Sequence, residues 1–180
     1  DFNNDGRLDI AIVNTYADSF SIFFGNGDGT FTNQKIFPTD PNTNPLRIVA
    51  EDFNKDGSID IAVTFRNIST FVVLLGYGNG TFGELTKYIT KTQTISIHSI
   101  ALGDINNDRQ IDIVTTDYEG NEMNIFFGHG NGTFDNAYTY STGNNSLPST
   151  VVIADFNNDN RLDICIINSG TQTIGIFYGY

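Results

Sequence analysis

The sequence predicts an all-β protein built from repeated units of four antiparallel strands. Three observations lead to this fold class. The chain repeats itself at intervals of 51 and 52 residues, short alternating apolar segments lie between turn residues, and no window of about 11 residues or more has helical periodicity. The composition agrees, since Phe (15 residues), Tyr (8) and Gly (18) are abundant. Aromatic residues favour strands, and glycine favours tight turns.

Two motifs define the repeat. The first is an acidic segment that occurs four times without gaps, at Asp1–Ile10, Asp52–Ile61, Asp104–Ile113 and Asp155–Ile164. The second is a glycine-rich segment, found at Phe24–Phe31, Leu75–Phe82 and Phe127–Phe134 and begun again at Tyr178. From the first Asp of one motif to the first Gly of the other, the offset is 24 residues in all four copies. This constancy indicates one structural unit repeated four times.

The second copy shows the strands of one unit most clearly. We predict strands at Arg47–Glu51, Ile59–Phe65, Phe71–Leu75 and Gly83–Thr90, separated by the acidic loop, a short turn and the glycine-rich turn. Four strands in roughly 50 residues are typical of a β-propeller blade. A blade buries both of its faces only against neighbouring blades, so the stability of such an array is shared.

The repeat places the blades at approximately 1–45, 46–95, 96–147 and 148–180. The first copy lacks the strand before its acidic loop and the last lacks the strand after its glycine-rich turn. We therefore expect 14 strands, about three and a half blades. Three interpretations stay open: a fragment of a larger propeller, a four-bladed ring with an incomplete blade, or units joined end to end. We favour the fragment, and open blade edges would make self-association possible.

The paired motifs resemble the FG-GAP, or VCBS, repeat. The acidic segment Asp-Phe-Asn-Lys-Asp-Gly-Ser-Ile-Asp-Ile from Asp52 and the glycine-rich segment Leu-Gly-Tyr-Gly-Asn-Gly-Thr-Phe from Leu75 carry the resemblance, which covers essentially the whole chain. This family includes the β-propeller head of integrin α-subunits and many secreted proteins. The resemblance implies a calcium-binding propeller, and a seven-bladed ring would need roughly twice this chain.

The acidic loops carry the donor set of a calcium site. In the second loop we expect ligands from three carboxylates, one amide oxygen and one backbone carbonyl: Asp52, Asp56, Asp60, Asn54 and Ser58. Hard oxygen donors select Ca²⁺, which accepts six to eight of them in a flexible shell, whereas softer metals prefer the His and Cys that these loops lack. Gly57 permits the positive φ that folds the loop around an ion.

The same positions predict one site per loop, up to four Ca²⁺ in all. The remaining side-chain ligands are Asp1, Asn3, Asp5, Asp9, Asp104, Asn106, Asp108, Asp112, Asp155, Asn157, Asp159 and Asp163, with backbone carbonyls from Arg7, Gln110 and Arg161. The alternative is that these Asp and Asn side chains only cap turns. Three neighbouring carboxylates repel one another unless a cation lies among them, which favours calcium.

The four loops are not equivalent at the sixth position, where we predict left-handed backbone. Gly6 and Gly57 adopt that conformation freely, and Asn160 tolerates it. Arg109 occupies the position in the third loop, where a non-glycine residue costs on the order of 1 kcal/mol. We therefore expect the loop from Asp52 to bind most tightly and the loop from Asp104 to be the weakest internal site.

The glycine-rich motif is interpreted as a hairpin turn, because it lacks the Lys and following helix of a phosphate-binding loop. Its terminal aromatic residues are expected to pack between blades: Phe31, Phe82 and Phe134. Four sequons also lie on predicted turns, at Asn67, Asn79, Asn131 and Asn144, where a secreted protein could carry glycans.

The charge and the histidines limit the function classes. A net charge of −12 disfavours nucleic acid and anionic membranes as partners, and the apolar segments are too short to insert into a membrane. His98 and His129 are the only histidines, and no nucleophile pattern accompanies them. We expect a secreted or cell-surface, non-enzymatic scaffold for adhesion or for binding a protein or glycan ligand. The alternatives are a carbohydrate-binding, lectin-like propeller and, less favoured, a polysaccharide lyase or hydrolase.

Overall fold

The computed structural model describes residues 1–66, 68–90 and 97–179, which form four antiparallel sheets and no α-helix. The strands are β1 (Ile10–Asn14), β2 (Ser19–Phe23), β3 (Lys35–Pro38), β4 (Pro45–Glu51), β5 (Asp60–Phe65), β6 (Thr70–Leu74), β7 (Thr86–Ile89), β8 (Ile97–Gly103), β9 (Asp112–Asp117), β10 (Glu122–Phe126), β11 (Tyr138–Ser141), β12 (Pro148–Ala154), β13 (Asp163–Asn168) and β14 (Thr173–Phe177). A short 3-10 turn at Thr15–Ala17 joins β1 to β2. The predicted all-β fold is confirmed. Within the described ranges, no helix has the length and apolar character needed to cross a membrane.

Each sheet is a meander in which strands pair in chain order. Blade 1 contains β1–β3, blade 2 contains β4–β7, blade 3 contains β8–β11 and blade 4 contains β12–β14. The strands are joined by short loops, and the first strand of blades 2, 3 and 4 carries a register irregularity near its beginning. Sheets of three and four antiparallel strands, repeated along the chain, are the blades of a propeller.

The core lies between blades, because alternate side chains of one strand contact different neighbours. In β5, Ile61 and Val63 belong to the cluster shared with blade 1, whereas Ala62 belongs to the cluster shared with blade 3. Every residue of β5 and of the corresponding β9 is buried. A strand covered on both faces reads as a continuous apolar or β-branched run, which is why the sequence predicts β5 well.

Two of the three hairpin aromatics pack between blades as predicted. Phe82 of blade 2 contacts Phe37 of blade 1 at a ring-centroid distance of 5.3 Å in an edge-to-face arrangement. Phe134 of blade 3 contacts Phe53 of blade 2 at 5.5 Å. The prediction is wrong for Phe31, which is 40% exposed. In the described part of the chain, no residue of another blade covers the side chain of Phe31 as Phe37 covers Phe82.

Candidate metal centres

In blades 2 to 4 the acidic loop connects the first strand of the sheet to the second, and in blade 1 it leads into β1. In the second loop, the Asp52 carboxylate accepts two backbone N–H groups, from Asp56 at 3.1 Å and from Gly57 at 2.9 Å. The carboxylates of Asp1, Asp104 and Asp155 accept the corresponding pairs in the other loops. The carboxylate at the first loop position therefore holds the turn closed by accepting the N–H groups of the fifth and sixth positions.

The third and fifth loop positions contact each other. The Asn54 amide nitrogen donates to the Asp56 Oδ2 atom at 2.8 Å, and the Asn54 Oδ1 atom accepts the Asp56 N–H at 3.1 Å. The Asp56 Oδ1 atom accepts the N–H of Ser58 at 2.8 Å. The pairs Asn3 with Asp5, Asn106 with Asp108, and Asn157 with Asp159 repeat the amide contact. The structure thus brings the first, third and fifth positions together in one exposed network.

The ninth loop position has a different environment. Asp60 has no exposed surface, and its two carboxylate oxygens accept backbone N–H groups from opposite directions. Oδ2 accepts the N–H of Phe53 within the loop at 2.8 Å, and Oδ1 accepts the N–H of Gly76 in the glycine-rich turn at 2.7 Å. The same two bonds recur at Asp9, Asp112 and Asp163. We call this arrangement the aspartate latch, since it fastens the acidic loop to the hairpin of its own blade.

The latch explains the first glycine of the glycine-rich motif. A Cβ atom on Gly76 would lie 2.2 Å from the backbone oxygen of Ile59, and Gly25 and Gly128 meet the equivalent carbonyl at the same distance. Only glycine allows the hairpin backbone to approach the loop closely enough for the Asp60 bond. Sequence reasoning assigned these glycines to the turn and missed the contact with the acidic loop.

The predicted left-handed backbone at the sixth loop position is confirmed. The φ angles are 81° at Gly6, 83° at Gly57, 66° at Arg109 and 66° at Asn160. A second left-handed position, the fourth of each loop, was missed. It holds Asn in three loops and Lys55 in the second, where φ is 60°. The second loop therefore has strain of its own, because a left-handed non-glycine residue without a short polar side chain is unfavourable.

The charged groups of the acidic loop affect the pKa of the buried aspartate at the ninth position. Burial raises the pKa of Asp60, and the carboxylates of Asp56 and Asp52 raise it further, although the N–H groups of Gly76 and Phe53 oppose the shift. The pKa of the corresponding Asp112 is raised for the same reasons. In contrast, the pKa of Asp56 is lowered, chiefly by the hydrogen bond from Asn54. In the second and third loops, the buried ninth aspartate therefore experiences both desolvation and repulsion from the carboxylates of its own loop.

The acidic loops contain the oxygen donors that a calcium site requires, but in this structure these oxygens accept hydrogen bonds from within the loop. Within residues 1–66, 68–90 and 97–179, no three His, Cys, Asp or Glu side chains are arranged as a metal-binding group. The carboxylates point to backbone N–H groups, and the Asn54 amide presents its nitrogen to Asp56. Each carboxylate oxygen keeps a second lone pair when it accepts one N–H, so the donor set fits Ca²⁺ once the amide turns its oxygen inward.

Comparison with known families identifies the repeat. The model of the FG-GAP-like repeat matches three overlapping segments, at residues 1–63, 52–115 and 104–166. The chain belongs to the FG-GAP-like repeat family. Each matched segment begins at the first aspartate of an acidic loop and includes the acidic loop of the following blade, so the family's repeat and the internal repeat coincide. No curated protein matches this FG-GAP-like chain.

Solved structures share the fold at low sequence identity. A lectin from Agrocybe aegerita that recognises non-reducing terminal N-acetylglucosamine is 20% identical, with a TM-score of 0.64 over 98% of this chain and 49% of its own. BBS1N, solved in complex with ARL6DN, is 12% identical, with a TM-score of 0.63 over 98% of this chain and 54% of its own. The Tc holotoxin pore of Photorhabdus luminescens is 14% identical, with a TM-score of 0.54 over 88% of this chain and 8% of its own. The FG-GAP-like chain thus spans about half the length of the first two.

The remaining predicted residues lie on exposed turns or on strands. Asn79, Asn131 and Asn144 are exposed, whereas Asn67 lies outside the described residues. His129 lies 3.0 Å from the carboxylate of Asp135 on the third hairpin. His98 stacks on Tyr118, with ring centroids 4.4 Å apart, and burial is the main cause that lowers the pKa of its imidazole.

Proposed function

We propose that this chain is an extracellular, calcium-binding β-propeller module that acts as an adhesion or ligand-binding scaffold without catalysis of its own. The observation that supports calcium is the convergence of oxygen donors in the second loop, where the carboxylate of Asp52 and the amide oxygen of Asn54 both accept the N–H of Asp56. Three carboxylates lie close enough for Asp52 and Asp56 to raise the pKa of the buried Asp60. A divalent cation among them would turn this repulsion into attraction.

The charge balance supports the same proposal. Twelve aspartates in the four loops equal the entire net charge of −12, so the other acidic and basic residues balance. Four bound Ca²⁺ ions would reduce the net charge of −12 to −4. Because the unfolded chain does not hold the loop geometry, calcium would bind the folded state selectively and stabilise it.

The experiment is thermal unfolding in EDTA and in millimolar Ca²⁺. Each site at a calcium concentration 100-fold above its dissociation constant would add about 2.7 kcal/mol to the free energy of unfolding. We expect a higher melting temperature in Ca²⁺ and a smaller effect from Mg²⁺, which requires stricter octahedral geometry. An identical melting curve in EDTA and Ca²⁺ would refute the calcium proposal.

The chain offers a matched control for the loss of one carboxylate. Asp28 lies in the first glycine-rich turn, outside the acidic loops, and accepts the N–H of Thr30 at 2.9 Å. The corresponding position is Asn79 in blade 2 and Asn131 in blade 3, and both make the same contact. Asp28→Asn should therefore leave the calcium response intact, whereas Asp56→Asn should weaken it.

A carbohydrate-binding role is the second candidate. It is supported by the fold shared with the N-acetylglucosamine-specific lectin of Agrocybe aegerita and by two tyrosines on turns, Tyr16 at 90% exposure and Tyr77 at 65%. Exposed aromatic rings can stack on the apolar faces of sugars. Binding on a glycan array, lost in Tyr16→Ser or Tyr77→Ser, would favour this candidate over a protein ligand.

A polysaccharide lyase or hydrolase activity is less favoured. His98 and His129 have contacts of their own with Tyr118 and Asp135, and a calcium-bound aspartate has no proton to donate. A screen for cleavage of sugar polymers tests this activity.

If the protein is secreted, Asn79 and Asn131 are the sequons that the repeat itself presents on exposed turns.

A further inference from the structure

The interfaces between blades 1 and 2 and between blades 2 and 3 each have two unlike halves. In both, the earlier blade contributes the aromatic residue at the second position of its acidic loop, and the later blade contributes the aromatic residue at the end of its hairpin. Phe2 meets Phe82 between blades 1 and 2, and Phe53 meets Phe134 between blades 2 and 3. We call the first half the loop face and the second half the hairpin face. The two faces are complementary because both of these interfaces join one of each.

Blade 4 presents a loop face that none of the described residues covers. Its exposed apolar residues are Val152, Phe156, Ile174, Ile176 and Tyr178. In blade 2 the corresponding positions are Val49, Phe53, Phe71, Val73 and Leu75, and all five pack in the cluster shared with blade 3. Phe156 is 45% exposed, whereas its counterpart Phe53 is 3% exposed. Blade 4 therefore carries the complete apolar set of a loop face without a partner blade.

Blade 1 presents the opposite half. Its exposed apolar residues on this side include Leu8, Ile10, Ile12 and Phe31. The corresponding positions in blade 2 are Ile59, Ile61, Val63 and Phe82, which pack in the cluster shared with blade 1. The exposed hairpin face of blade 1 thus matches, position by position, the surface that a loop face covers elsewhere in the same chain.

A backbone hydrogen bond fixes the register of the interfaces between blades 1 and 2 and between blades 2 and 3. The N–H of Gly80 in the hairpin of blade 2 donates to the carbonyl of Phe2 at 2.8 Å, and the N–H of Gly132 donates to the carbonyl of Phe53 at 3.2 Å. The corresponding atoms of the two uncovered faces are the N–H of Gly29 and the carbonyl of Phe156. The two faces therefore share both the apolar pattern and the polar contact that would set their register.

We propose that a second copy of this chain docks head to tail, with the hairpin face of its blade 1 on the loop face of blade 4. The junction continues the interface that already joins the blades within the chain, with Phe31 against Phe156. Uncovered apolar surfaces of this extent mark interaction sites. An interface with unlike halves closes into a ring or extends into a chain of copies, depending on its rotation.

The test is sedimentation equilibrium over a range of protein concentrations, with the wild type and two exposed-face variants. The wild-type mass should rise from 19.8 kDa to at least twice that value as concentration increases. Phe31→Asp removes the hairpin half and Phe156→Asp removes the loop half, so each variant alone should remain a monomer. Both side chains are substantially exposed in the single chain, so neither variant should impair its folding.

Mixing the two variants provides the sharpest result. The loop face of Phe31→Asp and the hairpin face of Phe156→Asp are both intact, so an equimolar mixture should form dimers with a single junction and nothing larger. Tyr16→Asp is the matched control, because Tyr16 is exposed on the turn between β1 and β2 and belongs to neither face. A wild type that stays monomeric, a variant that associates like the wild type, or a mixture that stays monomeric would each overturn the proposal.

Discussion

Removing the aspartate latch should lower the stability of the fold even when no metal is bound. In Asp60→Asn, the amide oxygen can accept only one of the two backbone N–H groups, that of Phe53 or that of Gly76. The amide nitrogen then faces the other N–H group, which is left without an acceptor. A buried N–H left without an acceptor costs about 1–3 kcal/mol. Part of this cost is offset, because the variant no longer buries a carboxylate whose pKa is raised by desolvation. We expect a net loss of about 2 kcal/mol, which lowers the melting temperature of a domain of this size by about 4–8 °C.

The measurement is the melting temperature in EDTA, so that no calcium ligand is lost. Asp56→Asn is the matched control, because it makes the same chemical change at an exposed position of the same loop. In EDTA it should lower the melting temperature only slightly, whereas in Ca²⁺ both variants should show a reduced calcium response. If Asp60→Asn melts like the wild type in EDTA, the aspartate contributes only as a metal ligand and the latch has no structural role.

Three further predictions follow from the buried polar groups and the left-handed residues. Thr64 is fully buried and its hydroxyl has no hydrogen-bond partner in the described residues, so Thr64→Val should raise the free energy of unfolding by about 1 kcal/mol in urea titrations. Thr139→Val is the control and should lower it, because that hydroxyl donates to a buried asparagine oxygen at 2.7 Å. The pKa of Asp18 is lowered by backbone N–H groups, so its stabilising contribution is present above the ordinary value of 3.8 and is lost as pH falls through the folded pKa. Asp18→Asn should flatten the acid side of the stability profile, since Asn121 makes the equivalent contact in blade 3; an unchanged profile would contradict this. Arg109→Gly should strengthen calcium binding by the third loop in calorimetry, because it relieves the left-handed strain and removes a positive charge; unchanged or weaker binding would contradict it.

The strands could be predicted from the sequence because burial on both faces leaves a local signal. Ile59–Phe65 was predicted where the structure has Asp60–Phe65, and Phe71–Leu75 where it has Thr70–Leu74. The last strand of the blade is shorter than predicted, since it begins at Thr86. Before it, the ends of the glycine-rich turn are joined by an isolated bridge between Gly76 and Phe82 and by the N–H of Gly83, which donates to the carbonyl of Leu75 at 2.8 Å. The alternation of apolar and polar residues extends to the residues before Thr86. It cannot show where pairing with the neighbouring strand begins, because pairing also depends on the position of that strand.

The role of the ninth aspartate could not be predicted, because its two partners are far apart in sequence. Asp60 bonds Phe53 seven residues before it and Gly76 sixteen residues after it. A constant separation between the ninth aspartate and the first glycine is visible in all four copies, and it was the available signal. The second left-handed position was also hard to recognise, because Lys55 occupies it in the second loop. The other three loops hold Asn there, which is among the non-glycine residues that best tolerate this conformation.

The latch connects the acidic loop to the packing of the blades. Asp60 holds the backbone of Gly76, which begins the hairpin that ends at Phe82, and Phe82 packs edge-to-face against Phe37 of the preceding blade. The loop of that preceding blade is joined to the same hairpin, because the N–H of Gly80 donates to the carbonyl of Phe2. A cation that ordered one loop would therefore stabilise two blades at once. Since each interior hairpin lies between two loops in this way, cation binding at one loop should favour the folded state of the next, as expected for an array whose stability depends on its interfaces.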